Sequence, residues 1–318
     1  MNSPSSAKPL VSVQGLTRRF GQVTAVDGLT LEVMEGEIFG LIGPDGAGKT
    51  TSMRLLLGIL RPDAGSGHVG GCDLIRDTES VTTLTGYVSQ RFSLYEELSV
   101  EENLTLFADL YGVAESERAP RLERLMQFSR LGPFRDRLAR NLSGGMKQKL
   151  ALSCALIHTP RLLLLDEPTT GVDPLSRRDL WRLLFDLWQE GVTIIVSTPY
   201  MDEAERCSRV GFLSGGKLIR TGTPEELRGQ FRGTILEVFA ERRFEARAAL
   251  AGIEAVEDVN LFGEGLHATF RNTDATQAER RAREALANER IGVRSIMAVE
   301  PTIEDVYFQL TRDPSRQL

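Results

Sequence analysis

The segment Gly43–Thr50, which reads Gly-Pro-Asp-Gly-Ala-Gly-Lys-Thr, constrains the fold of this chain more than any other feature. It fits the phosphate-loop (P-loop) pattern Gly-x4-Gly-Lys-[Ser/Thr] in full. A short apolar strand is predicted before it at 37–42, and apolar residues recur at helical spacing over 49–60. A glycine turn without a ligand is the alternative interpretation. The flanking strand and helix favour a phosphate site, because they direct backbone amides toward phosphate oxygens.

Each position of the P-loop suits a triphosphate and its cation. Lys49 is expected to place its ammonium group on the β- and γ-phosphates, and the Thr50 hydroxyl is expected to be a Mg²⁺ ligand. The other residues predicted to contact nucleotide are Gly43, Pro44, Asp45, Gly46, Ala47, Gly48 and Thr51. ATP and Mg²⁺ are therefore the expected cofactors.

A second acidic site follows the leucine run at 162–165, which is predicted to be a buried strand ending in Asp166 and Glu167. Beside a P-loop, Asp166 suits Mg²⁺ coordination through water, and Glu167 suits a general base that polarises the attacking water. The alternative is a strand that ends in a solvated acidic turn. That alternative would be preferred if the chain had no P-loop.

Residues Ser143, Gly144 and Gly145, within Leu-Ser-Gly-Gly-Met-Lys-Gln, precede a predicted helix at 147–157. Together with the P-loop and Asp166-Glu167-Pro168, this segment resembles the signature of the ATP-binding cassette family. The resemblance implies that two cassettes sandwich ATP head to tail, with Ser143, Gly144 and Gly145 binding the partner's nucleotide in trans. A second Leu-Ser-Gly-Gly, at 213–216, is flanked by strand residues and is predicted to be a hairpin turn.

The same resemblance assigns two more positions. Phe20 matches the aromatic residue that stacks on adenine, although alone it would be interpreted as a core residue. Gln90 matches the glutamine that reaches the Mg²⁺ and attacking-water region. The expected catalytic residues are thus Glu167 and Gln90, and the expected metal ligands are Thr50, Gln90 and, through water, Asp166.

The expected fold class is α/β: a P-loop NTPase cassette at 10–230, with a helical subdomain at about 92–158. A β-α-β-β-α-β pattern predicts a small α+β ferredoxin-like domain at 233–312. Residues 1–9 are expected to be disordered and 313–318 to form a tail. Residues 91–104 and 301–307 resemble ABC-2-type export ATPases, which implies drug or multidrug export through separate membrane permease subunits.

Composition narrows the location and partners. The formal net charge of −6 argues against nucleic acid as a partner, because nucleic-acid binders usually carry a basic surface. No segment approaches the roughly 20 apolar residues that cross a bilayer. The chain is therefore expected to be cytoplasmic and peripheral on the inner face of the cell membrane, held there by partner subunits. A soluble cassette protein of translation or DNA repair is the less favoured alternative.

Two positions depart from the family pattern. Pro199 stands where the family usually has a histidine that contacts the γ-phosphate, and proline has no side-chain donor. Losing that contact is expected to cost about 2.7 to 4 kcal/mol and to slow hydrolysis. Asp45 replaces a common asparagine and adds negative charge near the triphosphate. A heterodimer with a competent partner cassette, a homodimer, and a weakly hydrolysing or non-hydrolysing regulatory cassette all stay open.

Overall fold

The computed structural model describes residues 8–91 and 93–312. These residues divide into two compact units, at 8–224 and 225–312. The expectations for residues 1–7, Phe92 and 313–318 lie outside the described residues. The first strand begins at Pro9.

The first unit contains two sheets and most of the helices. In chain order its elements are β1 (Pro9–Phe20), β2 (Val23–Met34), β3 (Ile38–Ile42), α1 (Lys49–Leu56), β4 (Ala64–Val69), β5 (Cys72–Asp73), α2 (Thr78–Thr83), β6 (Thr85–Val88), α3 (Val100–Leu110), α4 (Glu115–Ser129), α5 (Gly144–Leu156), β7 (Leu162–Asp166), α6 (Pro174–Gln189), β8 (Thr193–Thr198), α7 (Met201–Ala204), β9 (Arg209–Ser214) and β10 (Lys217–Gly222). Helix α8 (Pro224–Gly229) follows at the point where the chain passes to the second unit.

A six-stranded sheet of order β10-β9-β3-β8-β7-β6 carries the P-loop. All neighbouring strands in it are parallel except the β9–β10 hairpin. Every residue of β3, β7 and β8 is buried, as expected for parallel strands covered on both faces. Because Ile42 pairs with Thr198 and Asp166 pairs with Ser197, the residues that follow these three strands emerge at one edge of the sheet.

A second, antiparallel sheet of order β2-β1-β4-β5 packs against α1. Met53, Leu55 and Leu56 of α1 are fully buried in a core that also includes apolar side chains of β1, β2, β3 and β7. This arrangement fixes α1, and with it the end of the P-loop, between two sheets.

The second unit has the strand order β12-β13-β11-β14. Its elements are β11 (Thr234–Ala240), α9 (Arg243–Ala251), β12 (Val256–Phe262), β13 (Gly265–Phe270), α10 (Ala275–Asn288), β14 (Val293–Val299) and α11 (Ile303–Arg312). Neighbouring strands are antiparallel, and α9 and α10 supply buried residues to one core. The order β-α-β-β-α-β confirms the predicted ferredoxin-like arrangement, and α11 adds a helix to it.

Helix α11 is joined to the sheet by a buried polar pair. The Asp305 carboxylate lies 3.0 Å from Nδ1 of His267 on β13, and the two side chains are 4% and 3% exposed. Burial alone would raise the pKa of Asp305, but hydrogen bonds from His267 and Thr302 lower it on balance. Among the described helices, none combines the length and apolar character needed to cross a bilayer.

Candidate nucleotide site

The P-loop connects β3 to α1 through a tight backbone turn. Gly48 is the N-cap of α1 and has φ = 104°, a left-handed value that favours glycine. A Cβ on Gly48 would lie 2.4 Å from the carbonyl oxygen of Ala25 on β2, so the close approach also requires glycine. Pro44, Asp45 and Gly46 at the loop tip are exposed, whereas Ala47 is buried and Thr51 is half-buried.

Lys49 is 3% exposed, and its ammonium group is surrounded by oxygen atoms. Nζ donates to the carbonyl oxygens of Gly43 and Pro44 at 2.8 and 2.9 Å, and lies 3.0 Å from Oε1 of Glu167. A buried ammonium group requires such partners, because desolvation without them is costly. The ammonium group is therefore held at the loop, and its predicted contact with phosphate oxygens stays a prediction.

Asp166 ends β7 and accepts three side-chain hydrogen bonds. The hydroxyls of Thr50 and Ser197 donate to its Oδ1 at 3.1 and 2.8 Å, and the Tyr87 hydroxyl donates to Oδ2 at 3.3 Å. Burial, followed by the negative charge of Asp166, raises the pKa of Tyr87 to about 12. Tyr87 is therefore a neutral donor at physiological pH, and it fixes a carboxylate that is 1% exposed.

Glu167 has a left-handed backbone, with φ = 51°. Its amide donates to the carbonyl oxygen and to Oγ of Ser197 at 3.1 and 3.0 Å. Its Oε2 accepts from Nε2 of Gln90 at 2.9 Å and from Oγ1 of Thr170 at 3.2 Å. With Lys49 on its other oxygen, the carboxylate has a defined orientation at the edge of the sheet.

The side-chain oxygen atoms at this edge of the sheet are suitable ligands for a Mg²⁺ ion bound together with a nucleotide. Mg²⁺ prefers oxygen ligands and usually takes one or two protein groups plus phosphates and water. The Thr50 hydroxyl and the Asp166 carboxylate lie 3.1 Å apart, and the side-chain amide of Gln90 donates a hydrogen bond to Glu167. Among the described residues there is no cluster of three or more His, Cys, Asp or Glu side chains that could hold a metal without nucleotide.

Phe20, the predicted adenine-stacking residue, ends β1 and is 49% exposed. The guanidinium carbon of Arg18 lies 4.9 Å from the centre of its ring. The alternative interpretation of Phe20 as a core residue is wrong, because half of the side chain is accessible. Its role in adenine binding stays a prediction.

Ser143 is the N-cap of α5, and its hydroxyl accepts from the amide of Met146 at 3.4 Å. Ser143 and Gly144 are exposed, whereas Gly145 is buried. A Cβ on Gly145 would lie 2.5 Å from Oγ of Ser176 on α6, so this glycine allows the two helices to approach. The role of this segment toward a second chain's nucleotide stays a prediction.

The segment after β8 is anchored by side chains that the sequence analysis did not single out. The Arg177 guanidinium lies 4.1 Å from the centre of the Tyr200 ring, next to Pro199. Glu203 is fully buried, accepts from Oγ1 of Thr169 at 3.1 Å, and lies 3.7 Å from Nε of Arg177. The sequence alone does not indicate these contacts, because they join residues distant in the chain, 34 positions apart for Thr169 and Glu203.

Comparisons with known proteins show which family the chain resembles. Residues 26–170 match the ABC transporter family, and residues 222–311 match the C-terminal domain of DrrA1-3-like ATP-binding proteins. The chain is 48% identical over 220 residues to the probable multidrug ABC transporter ATP-binding protein YbhF of Escherichia coli, covering 69% of this chain and 38% of that protein. It thus spans well under half of that relative's length.

Other relatives match along nearly the whole chain. The daunorubicin resistance ATP-binding protein DrrA3 of Streptomyces coeruleorubidus is 33% identical, with 98% of each chain covered. The dimeric, post-hydrolysis structure of the ATP-binding cassette MJ0796 with ADP and Pi is similar with a TM-score of 0.61, at 26% identity, over 67% of this chain and 98% of that one. On this site and these relatives, the chain belongs to the family of ABC transporter ATP-binding proteins.

Proposed function

We propose that this chain binds Mg-ATP in its P-loop and hydrolyses it as the ATP-driven subunit of an exporter. The observation that carries the proposal is the meeting of Lys49, Asp166 and Glu167 at one edge of the parallel sheet. Each of the three is at least 95% buried and held by named partners. Charged groups are rarely buried in this way unless they are paired or functional.

The residues divide the work of hydrolysis among them. Lys49 exchanges its contact with Glu167 for the phosphate oxygens, which leaves the Glu167 carboxylate available to the attacking water. The water oxygen bonds to the γ-phosphorus as the bond from that phosphorus to the β–γ bridging oxygen breaks and ADP leaves. Glu167 accepts the proton of that water, while Gln90 and Thr170 keep its Oε2 in place. Thr50, Gln90 and Asp166 would hold Mg²⁺, which when bound neutralises charge on the phosphates.

A second cassette completes the site in this proposal. Ser143 and Gly144 are exposed at the start of α5, where an amide-rich helix N-terminus suits phosphate. The related dimeric structure contains ADP and Pi, which supports ATP-linked pairing of cassettes. The partner cassette is a second copy or a different chain. Size measurement after co-expression with candidate cassettes separates these, and an active homodimer alone would count against a heterodimer.

The transport role rests on the relatives' names. They include multidrug, Nod factor export and daunorubicin resistance proteins. We infer that the cassette, at about 10–230 with its helical subdomain at about 92–158, works with ABC-2-type permease subunits on the cytoplasmic face of the membrane. The small domain at 233–312 supports pairing or regulation. Nucleic acid is not a partner in this proposal.

Pro199 lowers the rate of ATP hydrolysis at the site formed around this chain's own P-loop. Proline supplies no side-chain donor to the γ-phosphate, and the loss of one such contact costs about 2.7 to 4 kcal/mol. The second candidate function is therefore a weakly hydrolysing or non-hydrolysing regulatory cassette paired with a competent partner. Restoring the histidine in Pro199→His is expected to raise phosphate release by about 100-fold. Equal rates for the two proteins would contradict the slow-site proposal.

The central test measures ATP binding and phosphate release on the purified chain with Mg²⁺. Lys49→Ala is expected to abolish binding of Mg-ATP. The control is Lys149→Ala, which removes a lysine on α5 that pairs with Asp179 on α6, and this variant is expected to bind Mg-ATP normally. Mg-ATP binding that persists in Lys49→Ala would refute the proposed site. Co-purification of a membrane permease then tests the exporter assignment separately.

A further inference from the structure

The second Leu-Ser-Gly-Gly segment, residues 213–216, has no role in the proposed reaction. The structure confirms that it turns the β9–β10 hairpin, in which Lys217 pairs with Ser214. Gly215 and Gly216 have φ values of 55° and 82°, both in the left-handed region. The position of this turn relative to the P-loop suggests a further role for it.

The peptide groups of Gly216 connect the turn to two other segments. Its amide donates to the carbonyl oxygen of Ala47, inside the P-loop, at 3.1 Å. Its carbonyl oxygen accepts from the amide of Asp27, on β2, at 2.9 Å. A single residue of the turn therefore holds the P-loop and the antiparallel sheet together by backbone hydrogen bonds.

Two glycines of the P-loop pattern are in close contact with the same region. A Cβ on Gly43 would lie 2.4 Å from the carbonyl oxygen of Leu213, and a Cβ on Gly48 would lie 3.4 Å from Cα of Gly216. Gly43 does not have a left-handed φ, so its backbone conformation does not require glycine. Its contact with the hairpin does.

We propose that the backbone of Leu213 and Gly216 holds the P-loop in its conformation, a contact called the brace below, and that Gly216 is a positioning residue for nucleotide binding. This inference rests on the proposed function of the P-loop. The backbone amides of the P-loop point at the oxygens of a bound phosphate only if the loop keeps its shape. A displacement of binding groups by about 1 Å can lower a reaction rate by about 100-fold. The backbone of Gly216 fixes the loop at Ala47, immediately before the α1 N-cap.

The two glycines of the turn form a matched pair for a test. A Cβ on Gly216 would lie 3.0 Å from the carbonyl oxygen of Ala25, the same oxygen that crowds Gly48. A Cβ on Gly215 would meet no heavy atom within 4 Å. Both substitutions to alanine strain a left-handed backbone, but only Gly216→Ala pushes on the segment that contacts the P-loop.

The first measurement is hydrogen exchange of residues 43–50 without nucleotide. Gly216→Ala is expected to accelerate exchange there, whereas Gly215→Ala is expected to leave it as in the unmodified protein. The second is the Kd for Mg-ATP, expected to rise about ten-fold or more in Gly216→Ala and less than about two-fold in Gly215→Ala. Equal behaviour of the two variants in both measurements would overturn the brace.

These outcomes separate the brace from the proposed function. An unmodified protein that ignores Mg-ATP refutes the nucleotide site, while the exchange experiment without nucleotide still decides on the brace. Should Gly216→Ala not fold, exchange in the unmodified protein with and without saturating Mg-ADP decides instead. Slower exchange at both the P-loop and residues 214–217 supports the brace, and slower exchange at the P-loop alone overturns it.

Discussion

Replacing His158 with phenylalanine is expected to protect the first unit against acid. The His158 ring stacks on Tyr111 with ring centres 3.8 Å apart, and burial lowers the pKa of His158 to about 4. The positive charge of Arg121 acts in the same direction, and the backbone of Thr85 opposes it. The folded protein thus holds a neutral imidazole at pH values where the unfolded chain carries imidazolium.

The direction in which pH changes the free energy of unfolding follows from proton binding at His158. Between pH 6.5 and about 4, the unfolded chain binds a proton at His158 that the folded protein does not bind. The contribution of His158 to stability is therefore intact above pH 6.5 and is lost as the pH falls toward 4. Such a pKa difference corresponds to about 3 kcal/mol for a fully buried group. Since His158 as a whole is only half-buried, we expect about 1 to 2 kcal/mol at pH 5.

Urea unfolding followed by tryptophan fluorescence measures this effect in the first unit alone. The chain has two tryptophans, and both Trp181 and Trp188 lie on α6. The free energy of unfolding should differ little between His158→Phe and the unmodified protein at pH 7.5. At pH 5, the variant should be the more stable by about 1 to 2 kcal/mol. A difference that does not change between these pH values would refute the reasoning.

Three further changes test the site and the second unit. Glu167→Gln should keep Mg-ATP binding and slow phosphate release by about 100-fold or more, because an amide does not accept the proton; an unchanged release rate would exclude Glu167 as the base. Tyr87→Phe removes a donor from Asp166, so the Mg²⁺ concentration for half-maximal hydrolysis should rise up to about ten-fold in a metal titration, and an unchanged titration would contradict the positioning role. His267→Phe removes the partner of Asp305 on β13 and leaves the hydrogen bonds between Thr302 and Asp305 in place. It should accelerate amide exchange in α11 about ten-fold, and unchanged exchange would contradict the role of the pair in holding the helix.

The P-loop and the acidic strand end could be predicted from the sequence because their determinants are consecutive residues. The leucine run at 162–165 predicts a buried strand by itself, and parallel pairing then places Asp166 beside the P-loop. The ferredoxin-like unit was predictable for the same reason, since short strand-like and helix-like segments follow one another along the chain in the order of that arrangement.

Strand β4 illustrates what the sequence alone does not predict. Its residues Ala64–Val69 include two glycines, which are depleted in strands, so local propensity argues against it. The strand forms because β1 pairs with it, and Gly67 lies so close to Val13 that a Cβ would be 2.5 Å from a methyl group of that valine. The contacts of Glu203 and of Tyr87 were missed similarly, because each depends on a partner distant in the chain.

The left-handed backbone of Glu167 has a consequence for attempts to make this chain more resistant to heat. A non-glycine residue in this conformation costs about 1 to 2 kcal/mol, which here is offset by the two hydrogen bonds from its amide to Ser197. Glycine at position 167 would relieve that strain but would also remove the carboxylate that pairs with the buried Lys49 ammonium group, which is the larger loss. A laboratory screen for heat resistance is therefore not expected to select glycine at this position, and heat resistance in this chain has to be sought away from the end of β7.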